Sequence, residues 1–197
     1  MRAIRGIVFD KDGTLFDFQA TWGTWARGLV LAEARTAAQA AALAQALGVD
    51  MARAASAALP QVPAAPLVPL MAGLRARGLR LGLATNDTEG PARAHLAAAG
   101  IAGDFDFVAG FNSGWGGKPA PGQLLAFARA MGLETAECAM VGDSLHDLHA
   151  ARAAGMVAVG VLTGLAGRAE LAPAADAVLG SIAELPAWLD RADLVPV

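Results

Sequence analysis

Ile7-Val-Phe-Asp-Lys-Asp-Gly-Thr-Leu-Phe-Asp17 is the stretch from which the fold of this chain is read. A short apolar run, Ile4 to Phe9, ends abruptly in two carboxylates spaced two apart. Apolar runs of this length, closed by a turn signal, read as buried strands. Asp10 then falls at the carboxyl end of a strand, where open α/β sheets hold their ligands. Asp12 falls in the turn that follows, and Gly13 supplies the backbone freedom a tight turn requires.

Two carboxyl groups at this spacing suit one kind of chemistry. A carboxylate can attack phosphorus and form an aspartyl-phosphate. A second carboxyl can protonate the departing oxygen and later take a proton from water. Asp10 and Asp12 are the candidates for those two roles. Asp and Gly are also ordinary turn residues, so the pair alone leaves a plain turn open.

The rest of the chain extends the pattern outward. Leu79 to Ala84, Phe105 to Ala109, Cys138 to Val141, Met156 to Val161 and Asp176 to Leu179 read as strands. Helices are expected at Leu67–Arg77, Gly90–Ala99, Pro121–Met131, Ser144–Ala154 and Ile182–Leu189. Such alternation predicts an α/β fold, a mostly parallel sheet with helices on both faces. Between the first strand and this series lies an all-helical insertion, residues 18–65. It comprises an Ala- and Leu-rich helix from Thr21 to Leu47, weakened early by Gly23 and Gly28, and a short helix from Met51 to Leu59. Pro60, Pro63, Pro66 and Pro69 form a stiff linker after it.

Composition narrows the function classes. The 197 residues are 55% hydrophobic and 17% charged, which describes a globular chain of one domain with an insertion. A net charge of −3 without a basic run gives no support for nucleic-acid or anionic-membrane binding. No apolar stretch is long enough to span a bilayer. No signal peptide is visible, and the single Cys138 suits a reducing cytoplasm. Cys138 itself reads as a small buried hydrophobe. Only two lysines, Lys11 and Lys118, stand against 13 arginines, both beside candidate motifs.

Three further motifs fall at strand ends. Thr85-Asn86-Asp87 offers a hydroxyl and backbone N–H groups at a strand-to-helix junction, which suits a phosphate oxygen. Gly116-Gly117-Lys118-Pro119 precedes a helix, where an ammonium can offset charge on a nucleophile and a phosphoryl group. Gly142-Asp143-Ser144-Leu145-His146-Asp147 places two carboxylates four apart on one helix face, an arrangement that repels unless a cation lies nearby. Mg²⁺ takes oxygen ligands of this kind.

In this order the four strings resemble the motifs of the haloacid dehalogenase superfamily of phosphotransferases. The resemblance covers nearly the whole chain outside the insertion. It implies a Rossmann-like core over residues 1–17 and 66–197, with residues 18–65 as a small helical cap that covers the site. It implies that Asp10 is the nucleophile and Asp12 the general acid/base. Thr85 and Lys118 then assist catalysis, and Thr14, Thr85, Asn86 and Lys118 hold the phosphoryl group. Mg²⁺ is expected on Asp10, Asp143 and the backbone carbonyl of Asp12, with Asp147 either near the metal or holding Lys118. The combination is most similar to a phosphatase of the phosphoglycolate-phosphatase type, a monomer or small homo-oligomer acting on a small phosphate ester. A phosphosugar mutase would share Asp10 and Asp12, but Thr14 and the small cap weigh against it. A phosphonoacetaldehyde hydrolase needs a cap lysine, and the cap has none. A non-catalytic binding member would be expected to have lost Asp10, Asp12, Lys118 or Asp143.

Other residues have plainer readings. His95, His146 and His149 are expected at the surface. Trp22 and Trp25 read as cap packing or cavity lining. Arg27, Arg35 and Arg53, the cap's cations, read as a solvated face.

Overall fold

In the computed structural model, residues 3–18, 20, 21, 30, 32–46 and 62–193 are described. Six strands form one sheet: β1 (Gly6–Phe9), β2 (Arg80–Ala84), β3 (Phe107–Ala109), β4 (Cys138–Gly142), β5 (Val157–Val161) and β6 (Ala177–Leu179). Their order is β3-β2-β1-β4-β5-β6, and every adjacent pair is parallel. The helices are α1 (Ala37–Ala46), α2 (Leu67–Ala76), α3 (Glu89–Ala98), α4 (Gly122–Met131), α5 (Leu145–Ala154), α6 (Arg168–Leu171) and α7 (Leu185–Asp193).

Side-chain alternation along the strands builds a core on each face of the sheet. Ile7 and Phe9 pack with Leu81, Leu83 and Val141 against Met71 and Leu74 of α2, Leu96 of α3 and Trp188 of α7. Val8, Cys138 and Met140 point the other way, against Leu124 and Phe127 of α4 and Leu148 of α5. Phe127 fits only because β1 and β2 carry glycine beneath it: a Cβ at Gly82 would lie 2.6 Å from its ring. Burial pushes the Cys138 thiol up to about 12, which makes it an inert core residue as expected.

Strand order reverses direction between β1 and β4, so the crevice for a ligand opens there, at the carboxyl ends of both. The chain leaves this edge at Asp17 and is held there again at Val62. Asp17 N–H donates to Val62 O at 2.8 Å, and Ala64 N–H to Leu15 O at 2.9 Å. Segment 18–61 thus departs and returns at one point beside the crevice.

Differences from the sequence reading are local. Five strands start a residue or two later than expected, with Phe105 and Asp106 preceding β3, while β4 starts at Cys138 as expected and runs on to Gly142. The expected helix from Thr21 to Leu47 is interrupted at Ala34–Thr36, where Thr36 Oγ1 accepts from Gln39 N–H at 3.2 Å and starts α1 as an N-cap. The C-terminal helix begins as a 3₁₀ turn at Ile182–Glu184, and α6 was not foreseen. The expected breaks at Gly23 and Gly28, the short helix at Met51–Leu59, Trp22, Trp25, Arg27 and Arg53 lie outside the described residues. Arg35 is exposed.

Candidate active site

The turn after β1 is a closed loop of hydrogen bonds. Asp10 N–H continues the ladder to Val141 O at 2.9 Å, and Leu15 and Phe16 N–H both donate to Lys11 O. Gly13 takes φ +81° inside it, and its carbonyl accepts from Thr163 Oγ1 at 2.6 Å. The turn presses against Asp143 at the end of β4. A Cβ on Gly13 would sit 2.3 Å from Asp143 Oδ2, and one on Gly164 only 1.7 Å from it. Glycine at these two positions is what lets the Asp143 carboxylate stand against bare backbone.

Lys118 is the cation of the site. Its Nζ lies 2.6 Å from Asp10 Oδ1 and 2.5 Å from Asp147 Oδ1, and its side chain is buried. Asp147 is itself fixed from the other side, because its Oδ2 accepts from Ser144 N–H at 3.1 Å and Ser144 Oγ at 2.6 Å. This is the capping box that opens α5. The loop carrying Lys118 is clamped by Asn86, whose Nδ2 donates to Lys118 O at 2.9 Å and whose Oδ1 accepts from Lys118 N–H at 2.8 Å.

Thr85 follows β2 and lines the cavity. Its Oγ1 accepts from Asp87 N–H at 3.1 Å, which leaves the hydroxyl proton free to be donated. The buried Gln123 holds its carbonyl at 3.0 Å. The cavity these residues enclose measures about 220 Å³ and is lined by Asp10, Asp12, Thr85, Lys118, Asp143 and Asp147 among others.

Asp10, Asp143 and Asp147 each bring a carboxylate oxygen within 4.8 Å of the others. One ammonium does not balance three carboxylates. Burial, and then Asp10 and Asp147, push Asp143 up to about 8. Burial also pushes Asp10 up to about 6, against the pull of Lys118. Lys118 is desolvated too, yet Asp10 and Asp147 drive its pKa above the ordinary lysine value. The donor set is all oxygen. These residues fit a hard divalent cation, which would relieve the crowding.

A pH dependence follows with a definite sign. Asp10 and Asp143 have folded-state pKa values above their ordinary one, so their contribution to stability is greatest below the unfolded value near 3.8. It is lost as pH rises through about 6 and about 8. Chelator-treated protein is therefore expected to lose denaturation midpoint between pH 5 and pH 9. A midpoint that rises over that window contradicts the assignment.

The structure brings Asp10, Thr85, Lys118, Asp143 and Asp147 to one cavity, as the motifs imply. Asp12 and Asn86 line the same cavity with side-chain atoms already engaged, and Thr14 takes a different place. Thr14 is fully buried behind Asp143, 3.4 Å from its Oδ1, and does not line the cavity where a phosphoryl contact was expected. Asn86 spends both atoms of its amide on the Lys118 backbone, so its side chain orders the loop rather than offering a free phosphate contact. The Asp12 side chain lies outside the three-carboxylate group and turns to Lys11, 3.0 Å away. His146 and His149 are exposed as expected, but His95 is half-buried and 3.1 Å from Lys11 Nζ. Lys11, Gln123, Thr163 and Gly164 were not found in the sequence. Only the scarcity of lysine pointed to Lys11.

Residues 25–155 match the family model of haloacid dehalogenase-like hydrolases. That range contains Thr85, Lys118 and Asp143 and begins after Asp10. A phosphoglycolate phosphatase of Rhodospirillum rubrum is 39% identical over 120 residues, covering 61% of this chain and 50% of its own length. A probable phosphatase IndB of Dickeya dadantii is 40% identical over 111 residues, 54% of this chain and 48% of its own length. The chain thus spans about half the length of the curated relatives it matches. Among solved structures, a HAD family hydrolase of Deinococcus radiodurans with bound phosphate and sodium superposes with a TM-score of 0.74. It is 23% identical and covers 99% of both chains, a likeness of fold.

Proposed function

Because this chain belongs to the haloacid dehalogenase-like hydrolase family, we propose that it is a Mg²⁺-dependent phosphatase of small phosphorylated metabolites. One observation carries the reading: the Asp10 carboxylate stands at the end of the central strand, 2.6 Å from Lys118, in a cavity shared with Thr85 and Asp12. The substrate's phosphoryl group sits against Thr85 and Lys118, which donate to its oxygens. Asp10 attacks phosphorus in line and forms an aspartyl-phosphate as the ester bond breaks. Asp12 gives its proton to the departing alcohol oxygen. It then takes a proton from the water that hydrolyses the aspartyl-phosphate, which returns Asp10 and releases phosphate. Asp10 and Asp143, with Asp147 close by, would hold Mg²⁺, which would supply charge neutralisation for the phosphoryl oxygens. Positioning and electrostatics carry most of such a reaction.

Phosphoglycolate is the first substrate to test, since a phosphoglycolate phosphatase is among the relatives this chain resembles. The single return point at Asp17 and Val62 supports residues 18–65 as the cap that selects it. Among the described residues no helix is long and apolar enough to cross a membrane. The lone inert cysteine suits a reducing, cytoplasmic setting. Phosphate release from a panel of phosphorylated metabolites, with Mg²⁺ or with EDTA, tests the function. Turnover that survives EDTA, or no turnover of any member, overturns it.

The cation has its own readout. Mg²⁺ added to chelator-treated protein at a hundred-fold excess over its Kd is expected to stabilise the fold by about 2.7 kcal/mol. For a chain of this size that is roughly 5–10 °C in melting temperature. A melting temperature unmoved by Mg²⁺ contradicts the metal site, whatever the substrate.

A further inference from the structure

The mechanism above makes no use of Lys11, the most deeply buried charged side chain near the site. It is fully enclosed. Its Nζ lies 2.8 Å from Asp87 Oδ2, 3.0 Å from Asp12 Oδ2 and 3.1 Å from His95 Nδ1. An ammonium has three N–H donors, and here three acceptors from three parts of the fold meet them. His95 then accepts through Nδ1 and carries its ring proton on Nε2. Burial, and next Lys11, lower the pKa of this imidazole against the pull of Asp12 and Asp87.

Holding a lysine inside a turn is costly unless its charge is fully hydrogen-bonded. That cost has a visible return at Asp12. One oxygen, Oδ2, is tied to Lys11, while Oδ1 is buried with no partner among the described residues. Asp12 also lines the cavity that contains Asp10. The Asp12 side chain keeps 24% of its surface exposed, so a carboxyl that must give and take one proton is anchored without being enclosed.

We propose that Lys11, held in turn by Asp87 and His95, is the positioning residue that fixes the Asp12 carboxyl by Oδ2 and so orients it for proton transfer to the leaving oxygen. This rests on the phosphatase reading with Asp12 as acid. As the ester P–O bond breaks, the Asp12 proton passes to the leaving oxygen and Asp12 is left as carboxylate. Water later restores the proton to Asp12 when its oxygen bonds to phosphorus.

The test uses two aryl phosphates, because only one of them needs the proton. p-Nitrophenol leaves as its anion, whereas phenol is a poor leaving group and requires an acid. The quantity read is kcat/KM, which extends only to departure of the phenol. Lys11→Met keeps the length of the side chain and removes the donors. It is expected to lower kcat/KM about 10–30-fold on phenyl phosphate and less than about 3-fold on p-nitrophenyl phosphate, a fraction of what a general acid contributes. Asp12→Asn is expected to lose about 10²-fold or more on phenyl phosphate alone. Lys11→Met on top of Asp12→Asn is expected to add nothing. Asp87→Asn loosens Lys11 without emptying its pocket, and gives the same selective loss at smaller size if Lys11→Met fails to fold.

Equal losses on the two esters from Lys11→Met and Asp87→Asn, or a further loss in the double variant, overturn the positioning role while leaving Asp12 as acid. An Asp12→Asn protein with no preference between the esters overturns the acid itself, and Lys11 with it. Failure of wild type on both esters counts against the phosphatase reading.

Discussion

An Asp10→Asn protein is expected to release phosphate at least about 10⁴-fold more slowly than wild type, since the amide cannot form the acyl-phosphate bond and no second carboxylate occupies its place. The same substitution is expected to leave the fold intact and to raise its stability in EDTA at pH 8. The reason lies in the crowding of charge. Asp10 ionises in the folded state only against burial and Asp147, and its pKa of about 6 lies above its ordinary value. A neutral amide of the same shape escapes that penalty and can still accept from Lys118 through its oxygen. The gain should shrink when Mg²⁺ is present, because wild type then gains more from the cation than the variant does. Phosphate assays and urea denaturation with and without Mg²⁺ check both halves. Near-wild-type turnover removes Asp10 as nucleophile. A loss of stability in EDTA contradicts the electrostatic account of the site.

Lys118→Met is expected to fail in the opposite sense, losing activity and stability together. Asp10 and Asp147 both point at the one ammonium, at 2.6 and 2.5 Å, and Asp147 is almost wholly buried. Breaking such a pair from one side leaves buried carboxylates with no counter-charge, a cost of about 3–5 kcal/mol. Losing a preorganised cation from the phosphoryl site costs about 10²–10³-fold in kcat. Mg²⁺ should recover part of the stability by neutralising the same carboxylates, but not the turnover. Denaturation midpoints near wild type in EDTA would show that Lys118 is not the counter-charge of this cluster.

Much of the fold and the centre of the site were legible in the sequence for one physical reason. Parallel strands buried on both faces must be short apolar runs, and the residues that end them project into one crevice. Asp10, Thr85 and Asp143 each follow such a run directly, so strand end and site coincide. Lys118 was legible from its loop and its rarity. What escaped reading depends on contacts between distant parts of the chain. Lys11 sits between Asp10 and Asp12 and looks like a solvated turn residue, yet its partners lie 76 and 84 residues further on. Asn86 offers an amide that suits phosphate, and only the approach of the Lys118 loop shows that both its atoms are taken. Thr14 follows Gly13 toward the cavity in sequence, but the turn rotates it behind Asp143. Thr36 starts a new helix where composition alone would have continued the old one.

The place of β1 in the sheet bears on how the chain assembles. Gly6 to Phe9 pair with Arg80–Leu83 on one side and with Cys138–Val141 on the other. The strand at the middle of the sheet is thus made well before either neighbour. Its apolar residues cannot find shelter in a local hairpin and must wait for partners far along the chain. Contacts of such sequence separation are slow to form and expose sticky segments meanwhile. The carboxylates share this schedule. Asp10 meets Asp143 and Asp147 only when β4 docks, so their mutual repulsion is deferred to that step. A divalent cation present at that moment would act on the rate of assembly as well as on its end point.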